Sequence, residues 1–519
     1  MENNLETIKD LNPHLLWRHF ATLASIPRPS KKEQNVGEWL REFASELGLK
    51  YKQDKVGNIV IYKDRQNSKS NKTLLLQGHQ DMVCEADPGN LINFDTDPIE
   101  LRIEGDYVYA NHTTLGSDNG IGVCAILCIL EDKDISHPKM EALFTIDEET
   151  GMTGIMELGE DMIHADFMLN LDTEEDGSVY IGCAGSRDIT IHNTFTKESE
   201  LRHIYSINIS GLRGGHSGVQ INENRGNAIK ILTQILFDIS THYPIHISQI
   251  NGGNKLNAIP RNSNIEFAIT NEVAEVNEIS EVSSIISYIQ SKIQEFEQNY
   301  VLIEKDLKIT FEDLDKESTS FSLRDSQYII HTLNAIPSGV IQMNSDIPHL
   351  VQTSNNLSVV KTSDNEITII CMHRSSDLFE LNNVSRQILS IVIPQDTIMS
   401  EFIFSDLSSH KIEVDNNIIM QNIELSNVSI PWKPEPHNIL LDSFQEVHKN
   451  LFGVEAEVKA VHAGVECGFV RSYLKECKII SFGPQIDDAH SPKEHVQISN
   501  VEKFYTLLVN FIEKINSLE

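Results

Sequence analysis

Residues 73–82 are TLLLQGHQDM, an apolar run followed at once by a histidine and an aspartate. The run Thr73–Leu76 predicts a buried strand of an α/β sheet, because strands covered on both faces are apolar without alternation. His79 and Asp81 come directly after it, and residues two apart in extended chain point the same way. The segment therefore predicts a strand that delivers an imidazole and a carboxylate to one edge of a sheet.

The same pattern of an apolar strand followed by polar groups recurs along the chain. The segments ALFTI, FMLNL and KIISF predict further strands, and the groups after them are Glu148, Glu149, Asp172 and His490. Gly120–Leu130 is apolar on every side and predicts a helix buried against the sheet, with Asp118 just before it. Functional groups of α/β sheets gather beyond the carboxyl ends of the strands, so these side chains are expected to meet there.

Each of these residues taken alone has a simpler explanation. Asp118 is typical of a helix cap or turn, His79 of a core histidine, and Glu148 with Glu149 of a solvated edge. Their occurrence at successive strand ends favours a metal site instead. Two imidazoles and three carboxylates fit two divalent ions of the zinc type, and a carboxylate that bridges both ions explains the number of ligands.

Length, charge and cysteine usage limit the class of protein. The chain has 519 residues, which predicts two domains, and its formal charge of −34 argues against a nucleic-acid partner. It has seven cysteines and no CxxC pair, as expected for free thiols in a reducing cytoplasm. The first residues lack a secretory signal pattern, and no apolar run approaches the ~18 residues of a membrane span, so no membrane partner is expected.

The order of predicted elements indicates one domain split by another. After about Gly185 the chain has alternating strands and amphipathic helices, and roughly the same set of elements occurs twice. After the stiff connector Pro431–Pro436 the pattern of the first part returns, and Ser499 with Glu502 predicts a capping box on the last helix. We expect an α/β fold with a mixed central sheet flanked by helices over 1–186 and 416–519. An α+β lid domain of two similar halves is expected over 187–415.

Eight short motifs in this sequence resemble those of the M20 metallopeptidases, which have a zinc-exopeptidase-like fold. The motifs are GHQDMV, GSDNGIG, DEETGMTG, NLDTEE, GGHSG, NAIPR, HAGVECG and AHSPKE, and they follow the family order. The resemblance covers nearly the whole chain. It is strongest to the aminoacyl-histidine dipeptidase branch, because the HAGVECG segment is typical of that branch.

The resemblance implies a role for each metal-ligand candidate. His79 and Asp172 would bind one ion, Asp118 would bridge both, and Glu149 and His490 would bind the second. The resemblance implies two divalent ions per chain, which we expect to be zinc. Manganese or cobalt are expected to substitute, because ligand type alone does not fix the ion.

The resemblance also implies catalytic roles for two further carboxylates. Asp81 would orient the His79 imidazole and raise its basicity. Glu148 would be the general base, which takes a proton from the metal-bridging water and passes it to the leaving amine. The chemistry agrees, since a carboxylate that is not itself a ligand is free to accept a proton from a water acidified by metal.

Motifs of the predicted lid domain resemble substrate-binding segments. His216 in GGHSG would stabilise the developing oxyanion, from its own or a partner subunit; a surface histidine in a glycine-rich turn is the simpler alternative. Asn257 and Arg374 would hold the substrate's carboxylate, although Arg374 could equally be an exposed ion-pair residue. Gly464 would line the pocket where only a small residue permits close approach.

The sequence leaves several points open. His462 and Glu466 are both candidates to fix the substrate's amino end, and Ser358 stands where the family pattern leads one to expect glycine. The leading hypothesis is hydrolysis of Xaa-His and other unblocked dipeptides by a cytoplasmic enzyme, with a homodimer formed through the lid domain. The alternatives are an N-acyl-amino-acid deacylase or other exopeptidase on the same scaffold, and a non-catalytic relative.

Overall fold

The computed structural model describes residues 2–270, 278–393, 411–415 and 420–518. The chain divides into two compact units: unit 1 is Met1–Cys183, Trp432–Ala460 and Val465–Glu519, and unit 2 is Ala184–Pro431 and Val461–Gly464. We expected the chain to return to the first domain at residue 416, which lies outside the described residues. In the structure the chain returns to unit 1 at Trp432. The physical reason is that the strand Met420–Leu425 still pairs with Gly185–Thr194 of unit 2.

The amino-terminal part of unit 1 alternates short strands with helices. Its helices are α1 (Glu2–Ile8), α2 (His14–Ala24), α3 (Gln34–Glu46), α4 (Ser117–Glu131), α5 (Glu148–Gly151) and α6 (Thr153–Met156). Its strands are β1 (Lys50–Gln53), β2 (Ile59–Lys63), β3 (Thr73–His79), β4 (Leu101–Glu104), β5 (Tyr107–Ala110), β6 (Lys139–Thr145), β7 (Phe167–Asn170) and β8 (Ser178–Cys183).

In its described residues, unit 2 consists of strands of 2 to 13 residues and helices of 13 to 23 residues. The strands are β9 (Gly185–Thr194), β10 (Arg202–Ser210), β11 (Gly215–His216), β12 (Ile245–Gly252), β13 (Ala258–Ile259), β14 (Ser263–Ile269), β15 (Lys308–Ser318), β16 (Gly339–Met343), β17 (Val351–Ser363), β18 (Glu366–Ser375), β19 (Lys411–Asp415) and β20 (Met420–Leu425). The helices are α7 (Ala228–Ser240), α8 (Glu278–Tyr300), α9 (Leu323–Ala335) and α10 (Leu378–Val392).

The carboxyl-terminal part of the chain completes unit 1. Its elements are α11 (Ile439–Phe452), β21 (Glu457–Val461), α12 (Cys467–Tyr473), β22 (Lys478–Ser481), β23 (Ile486–Asp487), β24 (His495–Gln497) and α13 (Ile498–Ile515). Within the described residues, no helix has both the length and the hydrophobicity that a membrane span requires.

A mixed sheet forms the centre of unit 1. In the described residues its order is β1-β2-β6-β3-β7-β22-β8-β21, and β6, β3, β7 and β22 are mutually parallel. Every residue of β3 is buried, and so are Gly120–Leu130 of α4, because the apolar helix covers the apolar strands. The predicted α/β class with a mixed central sheet is confirmed.

Unit 2 is built from two halves with the same topology, as predicted. The strand order over the described residues is β15-β10-β14-β12-β17-β18-β9-β20-β19, with β16 attached to β17. The first half is β10-α7-β12-β14-α8-β15 and the second is β9-α9-β17-β18-α10-β20, each a βαββαβ unit. In each half the strands lie side by side in the order fourth, first, third and second. The halves meet at β12 and β17, and the first half is inserted between β9 and α9.

The predicted capping box on the last helix is wrong. The Ser499 hydroxyl does not cap α13 but donates to Oδ2 of Asp106 at 2.5 Å. Asp106 also accepts from the Ile498 and Ser499 amides, through its carbonyl and carboxylate oxygens respectively. The turn between β4 and β5 therefore supplies acceptors for the first amides of this helix, in place of a capping box.

Candidate metal centre

Four neighbouring parallel strands of unit 1 end at the same edge of the sheet. These strands are β6, β3, β7 and β22. His79 is the last residue of β3, Glu148 and Glu149 begin α5 shortly after β6, and Asp172 lies two residues beyond β7. His490 follows β22 in the loop before β24. The sheet therefore brings to one edge the polar groups that the sequence spreads over four segments.

Asp118 lies between the two histidines and contacts both. Its Oδ1 is 3.1 Å from Nε2 of His79, and its Oδ2 is 3.1 Å from Nε2 of His490. His79 Nε2 is also 3.2 Å from Oδ1 of Asp172, and His490 Nε2 is 3.1 Å from Oε2 of Glu149. Two groups of three donors result, each with one imidazole nitrogen, and each contains one oxygen of Asp118.

The spacing of these donors fits two divalent cations. Ligands held at 2.0–2.1 Å by a tetrahedral ion are roughly 3.3 Å apart, close to the contacts within each group. Among the described residues, the buried Oδ1 of Asp172 and Oε1 of Glu149 have no hydrogen-bond partner. The 3.2 Å contact of His79 with Asp172 thus lacks hydrogen-bond geometry. Buried acceptors without donors, next to imidazole nitrogens, are the arrangement that a metal ion satisfies.

The pKa values of the site reflect its excess of negative charge. Burial lowers the pKa of His79, but the nearby carboxylates, Asp172 first, outweigh it and raise the pKa well above its usual value. Hydrogen bonds with Asp118 and Glu149 raise the pKa of His490 to about 11. Burial is the main cause that raises the pKa of Asp172 to about 7. Without another source of positive charge, the carboxylates thus hold protons on both imidazoles.

Asp81 connects the His79 imidazole with the segment that carries both glutamates. Its Oδ1 lies 3.4 Å from Nδ1 of His79, on the ring side opposite the donor group. Its carboxylate also accepts from the amides of Glu148 at 3.1 Å and Glu149 at 3.2 Å, and from Ser30 Oγ at 2.7 Å. Burial opposes ionisation, but the His79 hydrogen bond prevails and lowers the pKa of Asp81 to about 2.

Glu148 lies outside the two donor groups that share Asp118, although it forms a further candidate metal-holding group with His79 and Glu149. Its carboxylate can come within 4.8 Å of ligand atoms of His79 and Glu149. Burial is the largest cause that raises the pKa of Glu148 well above its usual value, and the charges of Asp172 and Glu466 add to it. A carboxylate that is close to the donors yet outside both groups is suited to exchange protons.

Glu174 belongs to the same cluster, although the sequence analysis did not select it. Its carboxylate lies within 4.8 Å of ligand atoms of Asp118 and His490. Burial, and then the charge of Asp118, raise the pKa of Glu174 to about 9. The signal was present in NLDTEE, because a residue two positions after Asp172 points to the same side of an extended segment.

Glu466 is buried beneath the site within unit 1. It accepts from Nε2 of Gln77 at 2.5 Å and from Oγ1 of Thr145 at 2.7 Å. Gln77 in turn accepts from Nδ2 of Asn170 at 2.5 Å. These contacts tie the ends of β6, β3 and β7 together, so Glu466 supports the strands and does not present its carboxylate to solvent.

In unit 2, His216 lies on the short strand β11 in a defined tautomer. Its Nδ1 accepts from the amides of Gly218 and Val219, both at 3.2 Å. Burial, and then the charge of Arg374, lower the pKa of His216, so the ring is neutral near pH 7. Because Nδ1 accepts hydrogen bonds, the ring proton is on Nε2, where it can be donated.

Arg374 is a buried cation in unit 2, and His462 lies near enough for that charge to affect it. Arg374 is 6% exposed, and within the described chain its Nε has no hydrogen-bond partner. His462 is hydrogen-bonded through Nε2 to Oγ of Ser354 at 2.7 Å. Burial, and then the charge of Arg374, lower the pKa of His462 to about 3. Arg374 is therefore not the exposed ion-pair residue of the alternative explanation, and its buried guanidinium has a donor available to an anion.

The remaining predicted residues of unit 2 lie in surface segments. Asn257 is exposed and its carbonyl accepts from the Ser217 amide at 2.8 Å, which holds it beside His216. Gly464 is half-buried, two residues after His462. Ser358, which stands where glycine was expected, donates through Oγ to the carbonyl of Leu256 at 2.6 Å. The serine thus anchors the segment that carries Asn257.

Comparison with known proteins defines the class of this one. Residues 75–514 match the model of peptidase family M20/M25/M40, and the chain belongs to that family. It is 31% identical over 516 residues to the cytosol non-specific dipeptidase of Escherichia coli strain K12, covering 98% of this chain and 99% of the relative. The family prediction and the prediction of a peptide hydrolase are confirmed.

Solved structures agree with this assignment. The aminoacylhistidine dipeptidase of Vibrio alginolyticus has a TM-score of 0.86 at 30% identity, with 99% of each chain covered. The aminopeptidase PepT of Bacillus cereus has a TM-score of 0.55 at 13% identity, covering 97% of this chain and 99% of PepT, and shares the fold. The predicted resemblance to the aminoacyl-histidine dipeptidase branch is confirmed.

Proposed function

We propose that this protein is a metal-dependent dipeptidase that hydrolyses Xaa-His and other dipeptides with a free amino terminus. The observation that supports it most is the pair of donor groups that share Asp118. Two relatives that match nearly the whole chain, the Escherichia coli protein and the Vibrio alginolyticus protein, are named as dipeptidases. A non-catalytic relative is disfavoured, since both donor groups, Asp81 and Glu148 are all present.

Two divalent cations, with zinc as the first candidate, would be held by the two donor groups. His79, Asp118 and Asp172 would hold one ion; Asp118, Glu149 and His490 would hold the other. When bound, such a pair of ions polarises a carbonyl and makes a water acidic enough to attack it near pH 7. Manganese or cobalt would satisfy the same nitrogen and oxygen donors.

Glu148 is the general base in this proposal. Its carboxylate would accept the proton of the attacking water and then donate it to the leaving amine nitrogen, which completes peptide hydrolysis. Asp81 would hold His79 by its Nδ1 side, so that Nε2 faces the donor group. Because Asp81 also binds the Glu148 amide, it fixes the base and the ligand together.

Residues of unit 2 would recognise the anionic parts of the substrate. Arg374 would bind the carboxylate of the dipeptide, since a guanidinium pairs well with a planar anion, and Asn257 would contribute its amide. His216 would donate from Nε2 to the oxyanion that forms at the scissile carbonyl. Gly464 would leave room for the substrate backbone.

Glu174 supports a preference for substrates with a free amine. It adds a carboxylate beside Asp118 and His490 that neither donor group requires. An ammonium group of the substrate would pair with its carboxylate, whereas an acylated nitrogen would leave this half-buried carboxyl group without a cationic partner. This is the argument for a dipeptidase over an N-acyl-amino-acid deacylase on the same scaffold.

Paired substrates test the proposal. The zinc-loaded enzyme is assayed with free and N-acetylated forms of the same dipeptides, among them β-alanyl-histidine and other Xaa-His peptides. We expect the free forms to be cleaved at least ~10²-fold faster, and metal analysis to find two ions per chain. Cleavage restricted to the acetylated panel would establish the deacylase, and absence of bound metal with no turnover would establish the non-catalytic alternative.

We also propose a cytoplasmic homodimer formed through unit 2. All seven cysteines are free, and six of them are buried, as suits a reducing compartment. In unit 2, the strand β16 exposes Val340, Ile341 and Met343, an apolar edge that a second copy could cover. Light scattering of the wild type and of Ile341→Lys tests this; a wild-type monomer would refute it.

A further inference from the structure

Glu494, the last residue of the AHSPKE motif, binds a run of backbone amides at the start of α4. Its Oε2 accepts from the amides of Leu115 at 2.8 Å and Gly116 at 3.0 Å. Its Oε1 accepts from the Ser117 amide at 2.7 Å, the Ser117 hydroxyl at 2.6 Å and the Asp118 amide at 3.3 Å. Glu494 is 2% exposed, so nearly all of its hydration is replaced by these five donors.

Arg28 binds the opposite side of the same segment. The guanidinium is 2% exposed and donates to the carbonyls of Gln80 at 3.0 Å, Asp81 at 2.6 Å and Gly116 at 2.5 Å. The Gly116 residue therefore offers its amide to an anion and its carbonyl to a cation. Two opposite buried charges hold this one residue, and Glu494 contacts the donor residue Asp118 only through its backbone amide.

The two contacts join the three segments that carry the histidines and the shared carboxylate. Arg28 ties the segment after His79 to the segment before Asp118. Glu494 ties that same segment to the loop of His490, four residues before it in the chain. Single buried charges are costly to leave unpaired, so these contacts are hard to break once formed.

We propose that Glu494 is a positioning residue that fixes Asp118 relative to His490, and with it the second of the two metal sites. The inference rests on the proposed dimetal function. It acts through Asp118: the carboxylate of Glu494 holds the non-helical backbone at the start of α4, and that backbone sets where Oδ2 of Asp118 points. Without it, Oδ2 would no longer be held 3.1 Å from His490 Nε2.

The test is the substitution Glu494→Gln, measured by metal binding and not by activity. Glutamine keeps the shape but replaces one carboxylate oxygen by an NH₂ group, which then faces the amides that this oxygen accepted. We expect one of the two zinc-binding steps to weaken by 10–100-fold, the scale seen when partners of metal ligands are removed. It should be the step that His490→Ala also loses. The readout is titration of metal-free protein with zinc against a chromophoric chelator.

Glu304→Gln is the matched control. Glu304 in unit 2 is 1% exposed and accepts from the amides of Arg213 at 2.9 Å and Gly226 at 2.7 Å, so it is a buried carboxylate that binds backbone amides, as Glu494 does in unit 1. Its melting temperature should fall like that of Glu494→Gln, while both zinc affinities stay unchanged. If Glu494→Gln does not fold, Ser117→Ala removes a single donor and should weaken the same step by about 2–5-fold.

The outcomes separate the inference from the function on which it rests. Selective weakening of one step in Glu494→Gln, with Glu304→Gln unchanged, supports the inference. Wild-type affinities in folded Glu494→Gln, or equal weakening in both variants, overturn it. A wild-type protein that binds fewer than two zinc ions refutes the dimetal function instead.

Discussion

The substitution Glu148→Gln tests the proposed mechanism most directly. Glutamine has nearly the same shape, and the Glu148 amide that donates to Asp81 is unchanged, so the segment should keep its position. Glu148 lies outside both donor groups, and the protein should therefore still bind two ions. What the variant loses is the ability of this side chain to accept and return a proton.

The expected loss follows from the surroundings of the side chain. General-base catalysis contributes about 10²–10⁴-fold, which corresponds to roughly 2.7–5.4 kcal/mol in the barrier. The neighbouring carboxylates cannot replace it: Glu149 is a ligand candidate, and Glu466 is held by Gln77 and Thr145. We therefore expect kcat for a free dipeptide to fall at least ~10²-fold.

The assay compares kcat at saturating dipeptide with the metal content of the same sample. Glu141→Gln is the control, because Glu141 is a fully buried carboxylate on β6 that binds the His164 amide at 2.7 Å. It should keep kcat within about threefold. The reasoning is refuted if Glu148→Gln holds two ions and retains more than a tenth of wild-type kcat. Loss of a bound ion in Glu148→Gln would indicate instead that Glu148 is a metal ligand.

Three further perturbations have definite expected outcomes. In Asp118→Asn only one oxygen remains for two histidines, so bound zinc should fall from two ions to one; two tightly held ions would contradict the shared carboxylate. In Gly122→Ala the new Cβ would lie 2.6 Å from the Leu171 carbonyl, so the urea midpoint should fall by the equivalent of about 1–3 kcal/mol. Burial lowers the pKa of His373 to about 3, so below pH ~6.5 the unfolded chain binds a proton that the folded chain does not. Metal-free protein should thus lose up to about 1.4 kcal/mol per pH unit through His373 between pH 6 and 4, and a His373→Gln variant with an equally steep decline would contradict this.

Much of the fold could be predicted from local sequence patterns. The apolar run Gly120–Leu130, predicted to be a buried helix, is the buried helical part of α4. Such patterns can be seen in a short stretch of sequence, because the apolar residues on the buried face of a helix or strand recur with the period of that element. The prediction of a capping box on α13 was wrong because the Ser499 hydroxyl donates to Asp106, which is 393 residues away in the chain.

The site divides in the same way. The sequence by itself determined which residue types end each parallel strand, and so which donors gather at the edge of the sheet. Only the tertiary structure decided that one oxygen of Asp118 faces each histidine, that Glu174 joins the cluster, and that Glu494 holds a segment 377 residues before it. The physical reason is that periodicity records which face of an element is buried, whereas the partner of a side chain depends on the surface that packs against it.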